Sequence, residues 1–393
     1  MSPSRTIFSQ VVAHFPKKQF RRLVERYSGD KHVRTFGCWE QFLCMVFAQI
    51  TFRESLRDIE ACLNAFGPKL YHAGIRGKVS RSTLARANEL RDWRIYQDFA
   101  QHLIKIARKL YANEDFGIEL KNTVYAFDST TIDLSLTLFP WAHFMNHPLK
   151  KKSAVKLHTL LDLRGNIPTF ISISDGKMGD TLALDELVIE HAAFYVLDRG
   201  YFDFNRLARF QTAGAYFITR SRAKMLHWRV ASAPVDTNSN VLSDKTIRLS
   251  GQDTRHFYPW YLRRIRFYDE QERRVLVFLT NNFELPARTI ADLYKCRWQI
   301  ELFFKWLKQN LRIKAFFGYS ANALRTQIWI SVATYVLIAI IKKRLALSQS
   351  LSTILQVFSL SLFEKMPIYQ AFSRIELQSE GIVRSNQLNS FTD

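Results

Sequence analysis

Four cysteines stand in 393 residues, and Cys38, Cys44, Cys62 and Cys296 show neither the paired spacing of a zinc site nor the density of a disulfide framework. A reducing cytoplasm is expected. Residues 1–20 scatter charges and lack an apolar h-region, so no secretory signal is expected. Long hydrophobic runs are also missing: the longest, residues 328–341, is broken only by Ser331 and Thr334 and is followed by Lys342, Lys343 and Arg344. Its 14 residues fall short of the roughly 20 that a bilayer span needs. It reads as a helix buried at the back of a large core, with no membrane as partner. Internal repeats and low-complexity tracts are absent as well.

Acidic residues are scarce relative to basic ones, 35 against 56, leaving a formal net charge of +21. An excess that large repels itself unless a polyanion is the usual partner, which points first to nucleic acid. An acidic membrane surface and a merely solvated basic surface are the competing readings. With 47% hydrophobic and 14% aromatic residues, the chain can bury a sizeable core and is expected to form more than one domain.

Apolar residues recur at helical spacing through residues 1–115, notably at Phe42, Met45, Val46 and Ile50, predicting a helical N-terminal DNA-binding domain. Within it, Ser82 is a candidate cap for a helix running through Glu89 and Arg91. Arg81 and Arg86 near its start would face DNA, with a second helix expected at 55–64. The gap between the two is too long for a helix-turn-helix, and a plain bundle fits equally. From residue 123 the pattern changes to short strands at 123–127, 154–161, 167–172 and 194–197, with a turn at 162–166. Helices are expected at 180–191 and 204–212, and a further strand at 216–219. The succession predicts a mixed sheet flanked by helices. Strands at 245–249, 261–268 and 274–280 form a β insertion over 222–285, between core segments 120–221 and 286–347. Residues 348–393 read as a C-terminal tail, with dimerisation as its candidate role.

Asp128 follows the apolar stretch 124–127, and Asp198 follows 195–197. A carboxylate ending a buried strand must be hydrogen-bonded, paired or bound to a cation. Either alone also fits an Asx-turn or a helix cap. On a helix predicted over 287–311, Tyr294, Arg297, Glu301 and Lys308 stand at i, i+3, i+7 and i+14, a spacing that gathers them on one polar ridge. Apolar residues fill most of the remaining circumference, so the ridge is expected to face a cleft; an exposed helix with an Arg297–Glu301 pair is the alternative. Three carboxylates, Asp128, Asp198 and Glu301, would repel one another until a hard divalent cation entered, which predicts two Mg2+ ions, with Mn2+ able to substitute. Two such ions suit in-line displacement at phosphorus. Arg297, Lys308 and Tyr294 would hold the DNA backbone beside them.

The spacing Tyr294-x2-Arg297-x3-Glu301-x6-Lys308, together with 127–130, 155–165 and 197–201 in the same order, resembles the DDE transposases of bacterial insertion sequences, in the group typified by insertion sequence four. The likeness covers about 120–320. It implies an RNase H-like fold interrupted by a β insertion and preceded by a helical domain. It further implies cut-and-paste transposition through a DNA hairpin, with strand transfer into target DNA by a homodimer acting on paired terminal inverted repeats. An aromatic residue of the insertion would then stack on a flipped base, with Trp228 first and Trp260 second, although both also suit a core. Lys151 and Lys152, in the run 150–152, are further candidates for DNA contact, whereas His158 reads as a core histidine. The expected setting is the bacterial cytoplasm, at the nucleoid when bound to DNA. A nuclease that never joins DNA, and a non-catalytic regulator derived from a transposase, are the alternatives.

Overall fold

The computed structural model describes residues 5–147, 150–176, 179–222, 224–236, 239–310 and 316–373; the side chains at 68, 143–147, 150–152 and 180 are outside that description. The chain divides into two compact units, one formed by Met1–Leu110 with Trp306–Asp393 and the other by Tyr111–Lys305.

The first unit begins with α1 (Ile7–Ala13), α2 (Lys17–Arg26), α3 (Cys38–Ile50), α4 (Leu56–Ala65), the single turn α5 (Gly67–Leu70), α6 (Arg81–Leu90) and α7, which runs from Arg94 to Tyr111. Aromatic rings at their junction meet edge to face, with centroids 4.9 Å apart for both Phe15–Phe42 and Phe20–Phe99. The start of α6 differs from the expectation. Ser80, not Ser82, has the extended backbone of a cap, and its hydroxyl accepts from the Thr83 amide at 3.2 Å.

Among the described residues, the second unit is built on a ten-stranded sheet. Its strands are β1 (Val124–Leu134), β2 (His143–His147), β3 (Lys150–Asp162), β4 (Ile167–Asp175), β5 (Phe194–Leu197), β6 (Tyr216–Arg220), β7 (His227–Ala233), β8 (Val241–Leu249), β9 (Leu262–Asp269) and β10 (Arg274–Thr280). They lie in the order β2-β3-β1-β5-β6-β10-β9-β8-β7, with β4 also paired to β3. The block β4-β3-β1-β5-β6, three antiparallel strands followed by two parallel ones, is the RNase H-like arrangement. Parallel strands buried on both faces read as unbroken apolar runs, as in residues 124–127 and Phe194–Leu197, all of them buried. Helix α8 (Phe204–Thr212) makes the crossover from β5 to β6.

The insertion does not stand apart. Antiparallel pairing of β10 with β6 carries the same sheet outward through β9, β8 and β7, with the short helix α9 (Gln252–Phe257) between β8 and β9. On its inner strands Arg263 reaches Asp244 at 2.6 Å, both side chains being buried, and also donates to the carbonyls of Asn282 and Leu285. Helices α10 (Ala287–Lys295) and α11 (Trp298–Asn310) come next.

Two further expectations change here. Residues 180–191 form only a 3-10 helix, Asp180–Glu186, after which Leu187 turns extended and Glu190 is engaged by the hydroxyls of Tyr125 and Tyr195. The predicted single helix over 287–311 is divided at Cys296 and Arg297, where Arg297, Gln299 and Ile300 each donate to the carbonyl three residues back, the tighter winding of a 3-10 turn.

The chain then returns to the first unit with α12 (Ala321–Arg344) and α13 (Leu351–Ser361). Helix α12 packs against α3, α6 and α13, and Asn322 donates to the carbonyls of Asn88 and Arg91. It is longer than the apolar run suggested: its 24 residues are long and apolar enough to cross a membrane by length and composition, but 94% of the apolar window is buried inside the structure. Core burial explains its composition.

Candidate active site

The sheet register positions the first two acids. Phe127 and Leu197 are paired on neighbouring parallel strands, so Asp128 and Asp198 come next at one level, on strands about 4.8 Å apart. Beyond these acids the two strands diverge. Strand β1 continues to Leu134 along β3, so Asp128 lies within a strand, at the point where β1 loses β5 as a neighbour. Strand β5 ends, and Asp198 precedes a 3-10 turn, Arg199–Tyr201, without its side chain making a cap bond. The Asx-turn and cap reading thus fails for the Asp198 side chain, while Asp128 accepts its neighbour's amide, Ser129 N, at 2.8 Å.

Arg297 ties the third acid in. Standing at the break between α10 and α11, its guanidinium donates to Asp128 Oδ2 at 3.0 Å and to Glu301 Oε1 at 2.6 Å. Its planar fork allows one side chain to serve two carboxylates. Asp128 and Arg297 are 20% and 17% exposed and Glu301 is 55% exposed, so the cluster has a buried floor and an open side. Burial pushes the Asp128 carboxyl up to about 6; the Ser129 amide and Arg297 oppose this, and the charges of Asp198 and Glu301 add to it. Burial likewise pushes the Tyr294 hydroxyl up to about 12, so it stays protonated, with Asp198 and Arg297 among the charges it senses. The Tyr294 ring packs on Phe278 of β10 at 4.9 Å, which anchors α10 to the sheet.

These oxygens suit a hard cation in chemistry, since a buried carboxyl lifted by two neighbouring negative charges is stabilised by added positive charge. Among the described residues no three acid, histidine or cysteine side chains stand close enough to share one ion. Arg297 donates to both Asp128 and Glu301, so an ion held by those two carboxylates would compete with it for their oxygens.

A family model described as a transposase DDE domain matches residues 119–337, more than half of the chain. The chain belongs to this family. A second model, a domain of unknown function, matches residues 4–76. The protein named transposase y4zB in Sinorhizobium fredii is 32% identical over 54% of this chain and 59% of its own length. A transposase named for insertion sequence element IS5377 in Geobacillus stearothermophilus is 30% identical over 54% of each chain. One named for element IS4SA in Synechocystis is 25% identical over 68% of this chain and 73% of its own. The chain thus spans little more than half the length of the first two relatives.

Within the DDE domain, Asp128, Asp198, Tyr294, Arg297 and Glu301 come together; Lys308 stands two turns of α11 beyond Glu301 and is half-buried. Trp228 does not join them. It lies on the edge strand β7, five strands from β5, or roughly 24 Å at 4.8 Å per strand. Trp228 and Trp260 are 56% and 41% exposed, so neither is a core tryptophan. Lys151 and Lys152 fall on β3 positions whose side chains are not described. His158 is buried and bonds Ser174, as a core histidine does. Arg81 and Arg86 are both exposed on α6, and Arg86 lines a cleft of about 520 Å³ with Lys31, His32 and Arg34.

Trp298 escaped the sequence reading. It opens α11 beside Arg297 and one turn before Glu301, and it is 55% exposed. An exposed tryptophan next to a polar signature was the available signal, hidden by the apolar residues around it. Asn166 also went unnoticed: at the tip of the β3–β4 hairpin it donates to Gln299 at 3.1 Å, linking the sheet to α11. The same hairpin tip also lies close to Tyr111, which needs Gly165: its φ is +77° and its missing Cβ would lie 2.2 Å from the Tyr111 ring.

Proposed function

We propose that this chain is a cut-and-paste transposase that hydrolyses phosphodiester bonds at the ends of its element and joins those ends to target DNA. The observation that carries the reading is Arg297 bridging Asp128 and Glu301 with the charge of Asp198 raising the Asp128 carboxyl, at one end of an RNase H-like sheet in a chain of the DDE family. Asp128, Asp198 and Glu301 are the residues that would hold two Mg2+ ions. When bound, such ions activate a water or 3′-hydroxyl and stabilise the leaving oxygen. Arg297, freed from Asp128, offers its fork to the phosphate being attacked, and the protonated Tyr294 hydroxyl offers a donor beside it. Lys308 supplies a further positive charge along α11.

A hairpin intermediate belongs to this proposal. Stacking on a base flipped next to the cleaved bond requires an exposed ring near the acids, and Trp298 meets that need better than Trp228 on the same chain. The exposed α6 arginines and the cleft beside Arg86 support duplex binding by the N-terminal helices. A homodimer, acting in the bacterial cytoplasm on paired terminal repeats, completes the reading.

The test is a reaction in vitro. Purified chain, given linear DNA bearing the repeats that flank its coding region and a supercoiled target, is expected to yield cleaved ends and joined product in Mg2+ or Mn2+. Cleavage without joined product would leave a nuclease, and binding without either would leave a regulator.

A further inference from the structure

The cation-rich strands β8 and β9 present two unlike faces. Arg263 turns to one and is sealed against Asp244. Its neighbour Arg264 turns to the other, where its cross-strand partner on β8 is Lys245 and the next residue on the same side of β9 is Arg266. Among the described residues, Arg264, Arg266 and Lys245 make no ion pair or hydrogen bond through their side chains. Arg264 Nε is buried with no partner, as is the hydroxyl of Ser243, which lies across from Arg266. Burial and then the charge of Arg266 lower the pKa of Arg264, with no carboxylate acting in the other direction. A partly buried guanidinium beside an exposed one, with no counter-charge between them, is unfavourable in isolation and calls for an anion.

Register fixes where this surface stands. Pairings link Phe127 to Leu197, Leu197 to Thr219, Thr219 to Leu279 and Leu279 to Arg264, so Arg264 lies on the row that immediately precedes Asp128 and Asp198. Strand β9 runs parallel to β5, being antiparallel to β10, which is itself antiparallel to β6. Arg266 therefore lies past that row, at the same end of the sheet as the two acids but on its other face: Arg264 and Arg266 share the face of Phe127 and Leu197, and Asp128 and Asp198, one residue on, take the opposite one. Strand β9 is three strands from β5, roughly 14 Å at 4.8 Å per strand.

We propose that Arg264, Arg266 and Lys245 form a phosphate-binding track for duplex DNA, on the sheet face opposite the acids and at the same end of the strands. The assignment rests on the reading of the chain as a DNA-acting enzyme. These residues position the duplex; they do not touch the reacting atoms. Neutralising them should change how binding responds to salt, while the chemistry of Asp128, Asp198 and Glu301 persists once DNA is bound.

The experiment titrates a duplex carrying one element end into wild type, Arg264→Gln/Arg266→Gln, Arg264→Lys/Arg266→Lys and Lys245→Gln over a range of salt concentrations. The plot of log affinity against log salt should be shallower by about two for the double Gln variant and by about one for Lys245→Gln, with the double Lys variant near wild type. Thermal unfolding identifies folded variants, and Lys245→Gln, which alters only one half-exposed side chain, keeps the test valid if the double variant fails to fold. Unchanged slopes in folded variants, with wild type binding and cleaving, overturn the track alone. A wild type that neither binds nor cleaves the duplex overturns the functional reading, and the track with it.

Discussion

Two arginine–carboxylate groupings in the sheet unit look alike in sequence and differ in kind. Arg263 and Asp244 are 10% and 7% exposed, and the remaining Arg263 donors go to backbone carbonyls leading toward α10. Charge is balanced one to one, and the pair closes the insertion onto the core. Arg297 instead serves two carboxylates with a third near, and Asp128 among them is lifted to about 6 by burial and by its acidic neighbours. The sealed pair satisfies every partner it has. The open one holds more negative charge than one guanidinium neutralises, on a side that solvent and substrate can reach, and this imbalance marks a place for chemistry.

The contrast breaks most sharply if removing charge has similar effects at both places. Asp128→Ala or Glu301→Ala should lower DNA cleavage by on the order of 10⁴-fold, since several kcal/mol of transition-state stabilisation depends on these oxygens. Thermal unfolding should stay near wild type, because a crowded negative charge is removed. Asp244→Ala should do the reverse. It strands a buried guanidinium at a cost of about 3–5 kcal/mol, read as a shift of the denaturation midpoint, and reduces cleavage only through the folded fraction.

A smaller change probes the fork itself. Arg297→Lys keeps the charge but cannot span Asp128 and Glu301, and cleavage is expected to fall about 10²-fold at unchanged duplex affinity. A loss of affinity without loss of cleavage at saturating DNA would instead make Arg297 a plain backbone contact. Smaller still is Trp298→Ala, expected to cost about 1–3 kcal/mol in a step that needs a flipped base. Resolving hairpin from open-end products would detect it, with first-strand nicking unaffected; an equal loss in Trp228→Ala would return the role to the edge strand.

The two places also differ in how far sequence revealed them. Strands β5 and β10 and helix α8 were legible to their last residue, because short buried apolar runs and helical periodicity leave strong patterns. Strand β7 was not: nearly all its residues are exposed, so no alternation announces it. Strand β1 runs beyond Asp128 through polar residues because β3 supplies its partners, a tertiary effect no local pattern carries. The basic and acidic signature on α10 and α11 was readable from spacing. Its break at Arg297, which lets one side chain reach two acids, was not. Nor could spacing indicate that the insertion extends the catalytic sheet, bringing Arg264 onto a row with Leu197.

In the proposed reaction Asp128 and Glu301 would share a divalent cation once Arg297 gave way. Free Mn2+ measured by electron paramagnetic resonance, during titration into wild type, Asp128→Asn and Glu301→Gln, tests it without relying on turnover. Wild type is expected to bind saturably, with binding weakened by at least about tenfold in each folded variant. Equal binding by all three would mean that these two carboxylates hold no ion.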